Sequence, residues 1–323
     1  MASAELLKSL IRSHYSEDRE RFYTIALQVA AYEAQQGHGA LAHEIRSIVD
    51  RARQEEGPLK ILTFPQDLRG LVLAEQPDTP IAALVAPKRL KDRIQQVVHE
   101  YRQQGKLKNH GLSNRRKVLL IGPPGTGKTM TARILAHESH LALNVVQVDK
   151  LVTKFMGETG AKLRQIFDLI LEQQAVYLFD EFDAIGGERT LDNDVGEMRR
   201  VLSAFLQFIE QDTSDSLIVA ATNSPRLLDR ALHRRFDDVL HYSLPESDER
   251  AQLVRNVLGV FAAPQLGWKA AVAESEGLSH SEIDRACTDA IKQAILSDRT
   301  TVSTAQLRQA LREKREAQKV GKE

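Results

Sequence analysis

The sequence of 323 residues has little of what marks an extracellular or a membrane-embedded protein. Its one cysteine, Cys287, cannot form a disulfide within the chain, which favours a reducing compartment. In the helical pattern Ile283, Cys287, Ile291, this thiol is expected to be a core group rather than a nucleophile. No apolar run approaches the roughly 18 residues that span a bilayer, and no signal peptide is visible. We therefore expect a cytoplasmic protein with no membrane partner.

An excess of charge of either sign is also missing. Lysine and arginine together number 44, as do aspartate and glutamate, so the formal net charge is zero. Because nucleic-acid binding relies on a positive surface, this balance makes DNA or RNA an unexpected partner. Hydrophobic residues make up 42% of the chain, and the length predicts two or three compact units.

The apolar patterns divide the chain into five segments. Three apolar stripes at helical spacing predict a small helical bundle over residues 1–56, which either docks a partner or substrate or caps the next domain. The prolines of residues 57–87 predict a linker. Strands alternate with helices over residues 88–246, which predicts an α/β fold with a parallel sheet and helices on both faces. Residues 247–315 predict an all-α lid, and residues 316–323 a charged tail.

The stretch 122–129, with the sequence GPPGTGKT, follows a short apolar strand and opens a helix. It fits the phosphate-binding pattern G-x-x-x-x-G-K-[ST] in the required context. The N–H groups of such a loop, with those of the helix N-terminus, point at phosphates. Lys128 is expected to reach the outer phosphates, and the Thr129 hydroxyl to bind Mg²⁺. The residues predicted to hold ATP are Gly122, Pro123, Pro124, Gly125, Thr126, Gly127, Lys128, Thr129 and Met130.

Polar residues also follow two further buried strands. Asp180 and Glu181 come directly after the strand 175–179, at the end where ligands bind in parallel sheets. We expect Asp180 to hold Mg²⁺ and Glu181 to polarise the water that attacks the γ-phosphorus. Asn223 ends the next strand and is predicted to orient the same water. Asp183 is more simply interpreted as a cap of the following turn.

Two adjacent arginines, Arg234 and Arg235, follow a short predicted helix. Charged side chains after a short helix usually lie on the solvated surface. Beside a predicted ATP site, we favour a finger that enters the site of a neighbouring subunit and neutralises the charge that develops on the transferred phosphoryl group. This interpretation predicts a homo-oligomeric ring.

The order of these motifs resembles that of the AAA+ ATPases, and more narrowly the AAA branch that includes katanin, spastin and the proteasomal ATPases. The resemblance covers about residues 80–315. It implies a P-loop NTPase core that converts ATP and water to ADP and phosphate. It also implies named roles for the motif residues, which are Walker A for Gly122–Thr129, Walker B for Asp180 and Glu181, sensor 1 for Asn223, and arginine fingers for Arg234 and Arg235.

This chain departs from the branch pattern in two places. Many relatives separate the two arginines with a Pro-Gly insert that is absent here, which leaves open which arginine is the principal finger. At the start of the lid helix, where the branch usually has Gly-Ala, the sequence has His280 and Ser281. No arginine stands there, so we expect weak sensing of nucleotide by the lid.

The sequence KFMGET resembles the first pore loop of these machines. Phe155 and Met156 would project into the channel of the ring and grip an extended polypeptide, and Gly157 would let the loop bend. The alternative is an ordinary hydrophobic staple on the following helix. Residues 192–194 stand where a second pore loop would lie, an assignment supported only by position.

Three functions are consistent with the sequence. The first is Mg-ATP-dependent remodelling or threading of proteins through a ring, expected to be a hexamer. The second is a nucleic-acid machine of the loader or helper kind, and the third is a nucleotide-gated switch that holds a partner on its N-terminal bundle. The pore-loop pattern and the paired arginines favour the first.

A further resemblance covers the whole chain. The helical N-terminal segment and the sequence VYLFDEFDAIG look like bacterial AAA ATPases encoded beside a subtilisin-like serine protease. The resemblance implies a separate serine protease as a partner and a role in bacterial defence or plasmid incompatibility. The chain has no G-x-S-x-G elbow of its own, so any protease would be another protein.

Overall fold

The computed structural model describes residues 6, 8–10, 13, 19–55, 64–154, 158–185, 192–224 and 234–320. The chain forms two compact units, residues 1–63 and residues 64–323. In the described ranges, no helix is both long and apolar enough to cross a membrane.

The N-terminal unit contains helices α1 (Arg19–Gln35) and α2 (Gly39–Glu55). Tyr23 of α1 packs against Val49 of α2 in a small buried cluster. Gly37 has a φ of 86°, the left-handed conformation that ends a helix at low cost, and so separates the two. These helices match the second and third apolar stripes of the predicted bundle, whereas only Leu6 and Leu10 of the first stripe lie within the described residues.

One sheet of six strands forms the centre of the second unit, in the spatial order β1-β3-β4-β5-β2-β6. All neighbouring strands pair in parallel except β1, which pairs antiparallel with β3. The prediction of a mainly parallel sheet is confirmed. The strands are β1 (Val72–Glu75), β2 (Lys117–Ile121), β3 (Leu143–Val146), β4 (Val176–Phe179), β5 (Leu217–Thr222) and β6 (Asp238–His241).

Helices cover both faces of this sheet, as predicted. They are α3 (Lys88–Arg102), α4 (Gln104–Asn109), α5 (Lys128–Ser139), α6 (Val148–Lys154), α7 (Thr159–Glu172) and α8 (Asp192–Gln211). Successive residues of β2 face opposite sides, because side chains alternate along a strand. Leu119 faces the cluster that contains Phe167 of α7 and Phe205 of α8, and Leu120 faces the cluster that contains Ile94 of α3. The core therefore has two layers with the sheet between them.

The prediction of a linker over residues 57–87 needs correction. Residues 72–75 form the edge strand β1, and Leu68, Leu71 and Val72 are buried in the core. A strand of four residues among prolines is too short to show a clear alternation of apolar and polar residues. The described part of this segment, from Phe64 onward, belongs to the second unit.

A cluster of helices follows the sheet and forms the lid. Its helices are α9 (Ser247–Leu258), α10 (Trp268–Glu274), α11 (His280–Leu296) and α12 (Thr304–Val320). Cys287 is fully buried in their shared core, and burial raises the pKa of its thiol to about 12. The last helix runs on into the segment 316–323 that the sequence predicts as a tail. Gln318 donates a hydrogen bond to Glu282 of α11 at 2.9 Å, which holds this turn against the lid.

Candidate functional site

The loop between β2 and α5 has the geometry of a phosphate cradle. Gly125 and Gly127 have φ values of 72° and 98°, conformations that glycine adopts at little cost. The Thr126 hydroxyl donates to the main-chain oxygen of Pro123 at 2.8 Å and closes the loop on itself. The loop ends at the N-terminus of α5, whose first N–H groups have no partner within the helix. The predicted ATP-binding residues therefore form this loop and the first turn of α5.

Tyr242 braces this loop from the neighbouring strand. Its main-chain N–H donates to Ile121 at 2.7 Å, and its hydroxyl donates to Thr131 of α5 at 2.7 Å. A Cβ atom added to Gly122 would lie 2.4 Å from the main-chain oxygen of Tyr242, so only glycine fits at the start of the loop. No local pattern in the sequence indicates this contact.

Lys128 links the loop to the end of β5. Its ammonium donates to the main-chain oxygens of Gly122 and Pro123 and to Oδ1 of Asn223, each at 2.8 Å. Burial lowers the pKa of this ammonium, and the carboxylate of Asp180 opposes that shift. The structure thus brings together the residue that is predicted to reach the outer phosphates and the residue that is predicted to orient the attacking water.

The two predicted Mg²⁺ ligands are also in contact. The Thr129 hydroxyl donates to Oδ2 of Asp180 at 2.7 Å, and the other carboxylate oxygen of Asp180 accepts from the N–H of Glu181 at 2.9 Å. Hydroxyl and carboxylate oxygens are ligands that Mg²⁺ prefers, with phosphate oxygens and water completing its shell. These residues therefore fit a Mg²⁺ ion bound beside a triphosphate.

Glu181 leaves β4 in an unusual conformation. Its φ is 50°, a left-handed value that is uncommon for residues other than glycine and that is found at functional sites. The side chain is exposed, whereas the strand that precedes it is fully buried. The turn separates the two acids, so that Asp180 contacts Thr129 and Glu181 faces solvent.

Asp183 differs from its simple prediction. Its carboxylate accepts hydrogen bonds from the Thr222 hydroxyl at 3.2 Å and from the N–H of Asn223 at 3.1 Å. It therefore fixes the tip of β5 rather than only capping its own turn. This contact joins residues 40 positions apart in the chain.

The lid helix α11 begins directly against the phosphate loop. Ser279 is its N-cap and forms a capping box with Glu282. The N–H of Ser281 donates to the main-chain oxygen of Gly125 at 3.0 Å. A Cβ atom on Gly125 would lie 2.7 Å from the Ser279 hydroxyl, so the approach of the lid also requires glycine at this position.

Two comparisons with known proteins agree with this geometry. Residues 118–244 match the model of the ATPase family associated with various cellular activities (AAA). Over 97% of its length, the chain is 33% identical to an uncharacterized AAA family ATPase, y4kL, of Sinorhizobium fredii, and covers 96% of that protein. The chain belongs to the AAA ATPase family.

Two further relatives are named as proteasomal ATPases, and one solved structure shares the fold. The chain is 29% identical to a proteasome-activating nucleotidase of Methanothermobacter thermautotrophicus, over 84% of this chain and 67% of that protein. It is 32% identical to a 26S proteasome regulatory subunit 10B homolog of Arabidopsis thaliana, over 65% of this chain and 55% of that protein. The crystal structure of the FIGL-1 AAA domain has the same fold, with a TM-score of 0.62, 23% identity and coverage of 79% of this chain and 91% of that one.

The two arginines of this AAA ATPase differ in their surroundings. Arg235 forms an ion pair with Glu210, in the last turns of α8, at 3.1 Å between Nε and Oε2. Arg234 is exposed and makes no ion pair with any described residue. Among the hydrogen bonds of the described residues, none joins either arginine to the phosphate loop of the same chain.

The predicted substrate-gripping residues lie elsewhere in the sequence. Phe155, Met156 and Gly157 fall between α6 and α7 and lie outside the described residues. Their assignment as a pore loop therefore stays a prediction.

Proposed function

We propose that this AAA ATPase hydrolyses Mg-ATP to ADP and phosphate and uses the reaction to remodel or thread protein substrates. The observation that carries the proposal is the convergence of the hydrogen bonds of Lys128 and Thr129 on Asn223 and Asp180 at one edge of the sheet. A loop, a lysine, a metal-binding pair and an amide at one place are the parts that phosphoryl transfer to water requires.

The chain's own groups have distinct roles in this reaction. The loop N–H groups and Lys128 bind the phosphates, and Lys128 exchanges its loop acceptors for phosphate oxygens. Mg²⁺ held by Thr129 and Asp180 would supply positive charge to the phosphate oxygens. Glu181 is the base that takes a proton from the attacking water, and Asn223 orients that water. The exposure of the Glu181 side chain supports its access to a water molecule.

We propose that Arg234 is the principal arginine finger and acts in the site of a neighbouring subunit. It is exposed, whereas Arg235 is paired with Glu210. This pairing supports a role for Arg235 in orienting the finger segment. A finger in trans requires a ring of identical subunits, with a hexamer as the expected size.

Protein substrates are proposed from two independent supports. The names of two relatives refer to proteasomes, and the sequence of residues 154–159 resembles a pore loop. In this proposal Phe155, Met156 and Gly157 grip the polypeptide, and the N-terminal unit docks a partner or substrate. A separate serine protease receives the threaded polypeptide.

The test combines an ATPase assay with a substrate-unfolding assay on a model polypeptide fused to a fluorescent protein. Phe155→Ala should retain ATPase activity and lose substrate-unfolding activity, because a bulky apolar group is needed to hold the polypeptide. Leu171→Ala, which shortens an exposed apolar side chain on α7, is the matched control and should retain both activities. Normal unfolding by Phe155→Ala, with ATPase activity stimulated by DNA in a salt-sensitive manner, would support a nucleic-acid machine instead.

A further inference from the structure

His280 is the first residue of the lid helix α11. Both nitrogens of its imidazole are shielded from solvent, and neither makes a hydrogen bond of normal geometry with a described residue. The main chain of Val85 lies near enough for one weak contact, so at least one ring nitrogen has no partner among the described residues. A buried polar group without a partner costs free energy, so such groups in native proteins usually bind a ligand or water or serve a function. In the sequence, this histidine stands out only as a departure from Gly-Ala.

The neighbours of His280 place it at the phosphate loop. Ser279, on one side in the chain, packs on Gly125, and Ser281, on the other side, donates its N–H to the same glycine. The main chain of Val85 and the carboxylate of Glu249 lie close enough to affect the imidazole.

The segment beside His280 also reaches the loop. Leu84 and Val85 are buried, and the Cδ1 atom of Leu84 would contact a Cβ atom on Gly127 at 3.4 Å. Apolar side chains at this place could form the wall of an adenine site. The start of the lid, the phosphate loop and this apolar segment therefore lie close together, and the imidazole of His280 lies near Val85 of that segment.

We propose that a ring nitrogen of His280 hydrogen-bonds to the nucleoside of the nucleotide bound on the phosphate loop, and so couples the lid to nucleotide occupancy. The inference rests on the proposed ATP-binding function. A neutral imidazole offers one donor and one acceptor, which suits ribose hydroxyls and base edges. Burial lowers the pKa of His280, which favours this neutral form.

Two alternative roles for this imidazole have less support. An ion pair with Glu249 is not supported: the carboxylate influences the imidazole electrostatically, but no ion pair or hydrogen bond joins the two among the described residues. A metal site is also not supported, because the described residues contain no group of three or more His, Cys, Asp or Glu side chains that could hold an ion.

The test measures binding of ATP and of inorganic tripolyphosphate, both with Mg²⁺, to the full chain. The Glu181→Gln background slows hydrolysis during the titration. His280→Ala should bind ATP about tenfold more weakly and tripolyphosphate equally well, since only ATP has a nucleoside. His280→Gln, which keeps a donor and an acceptor, should recover part of the loss. His110→Ala, which removes an exposed imidazole after α4, is the matched control and should bind both ligands normally.

The outcomes separate this inference from the proposed function. Unchanged ATP affinity of both His280 variants would overturn the inference alone. Equal weakening for ATP and tripolyphosphate would also overturn it, because His280 would then act on the loop and not on the nucleoside. Failure of the unsubstituted His280 protein to bind either ligand would remove the proposed function, and the inference with it.

Discussion

The Nζ atom of Lys128 donates a hydrogen bond to Oδ1 of Asn223 at 2.8 Å. The two residues are 95 positions apart and belong to neighbouring strands of the sheet, β2 through its loop and β5 through its tip. The contact holds the group that is proposed to bind the outer phosphates beside the group that is proposed to orient water. It gives Asn223 a structural role, the positioning of Lys128, in addition to its proposed role in the reaction.

Substitution of Asn223 by Ala should lower kcat more than it weakens nucleotide binding. The loop N–H groups and Lys128 remain, so the dissociation constant for ATP should change by only a few-fold. Loss of the group that orients the water should lower kcat by about tenfold to a hundredfold. Steady-state ATPase assays and nucleotide titrations measure the two quantities, with Ser224→Ala at the next position as the control. An equal loss in binding and kcat would contradict the assigned role.

Much of the fold can be predicted from the sequence because the apolar residues of its buried strands and helices recur at regular spacing. The strand of residues 117–121 and the loop after it carry strong local signals, and the structure has both. The edge strand β1 is not predicted, because a strand of only four residues is too short to show a clear alternation of apolar and polar residues.

The contacts that shape the site are not predictable from local pattern. Tyr242 against Gly122, Asp183 against β5 and Ser279 against Gly125 each join distant parts of the chain. A single sequence shows the type of each residue but not the approach of two backbones. For the same reason, the pairing of Arg235 with Glu210 is visible only in the folded chain.

Gly122→Ala should destabilise the second unit by more than about 2 kcal/mol, because the new Cβ atom would overlap the main chain of Tyr242. The single tryptophan, Trp268, lies in the lid of this unit, so its fluorescence in a denaturant titration reports the unfolding. Gly160→Ala is the matched control. It lies in the first turn of α7 with no atom within 4 Å of the new Cβ, and should be neutral or slightly stabilising. Equal stability of the two variants would show that the close approach at Gly122 is absent.

The pH dependence of stability should report on His280. Burial lowers its pKa in the folded state below the ordinary value of 6.5. Well above pH 6.5 the imidazole is neutral in both states and contributes no pH dependence. As the pH falls below 6.5, the unfolded chain takes up a proton that the folded chain excludes, so the free energy of unfolding decreases, by at most about 1.4 kcal/mol for each pH unit.

His280→Ala removes this contribution. The difference in the free energy of unfolding between the two proteins at pH 7.5 is the reference. Between about pH 6.5 and pH 5, the free energy of unfolding of the wild-type protein should fall more than that of the variant. Denaturant titrations followed by the fluorescence of Trp268 measure this at each pH. The carboxylate of Glu249 faces the imidazole and acts against the shift, so it is left unchanged in both proteins. Parallel stability curves for the two proteins would contradict the buried, neutral state of His280.

The most direct test of the account is whether two inactive subunits restore each other's ATPase activity. Glu181→Gln lacks the proposed base but has Arg234, and Arg234→Ala lacks the proposed finger but has Glu181. If Arg234 acts in a neighbouring subunit, mixed rings contain some interfaces with both groups intact. We predict that an equimolar mixture hydrolyses ATP well above the sum of the two variants alone. Co-assembled rings that show only that sum would contradict the proposed site between subunits.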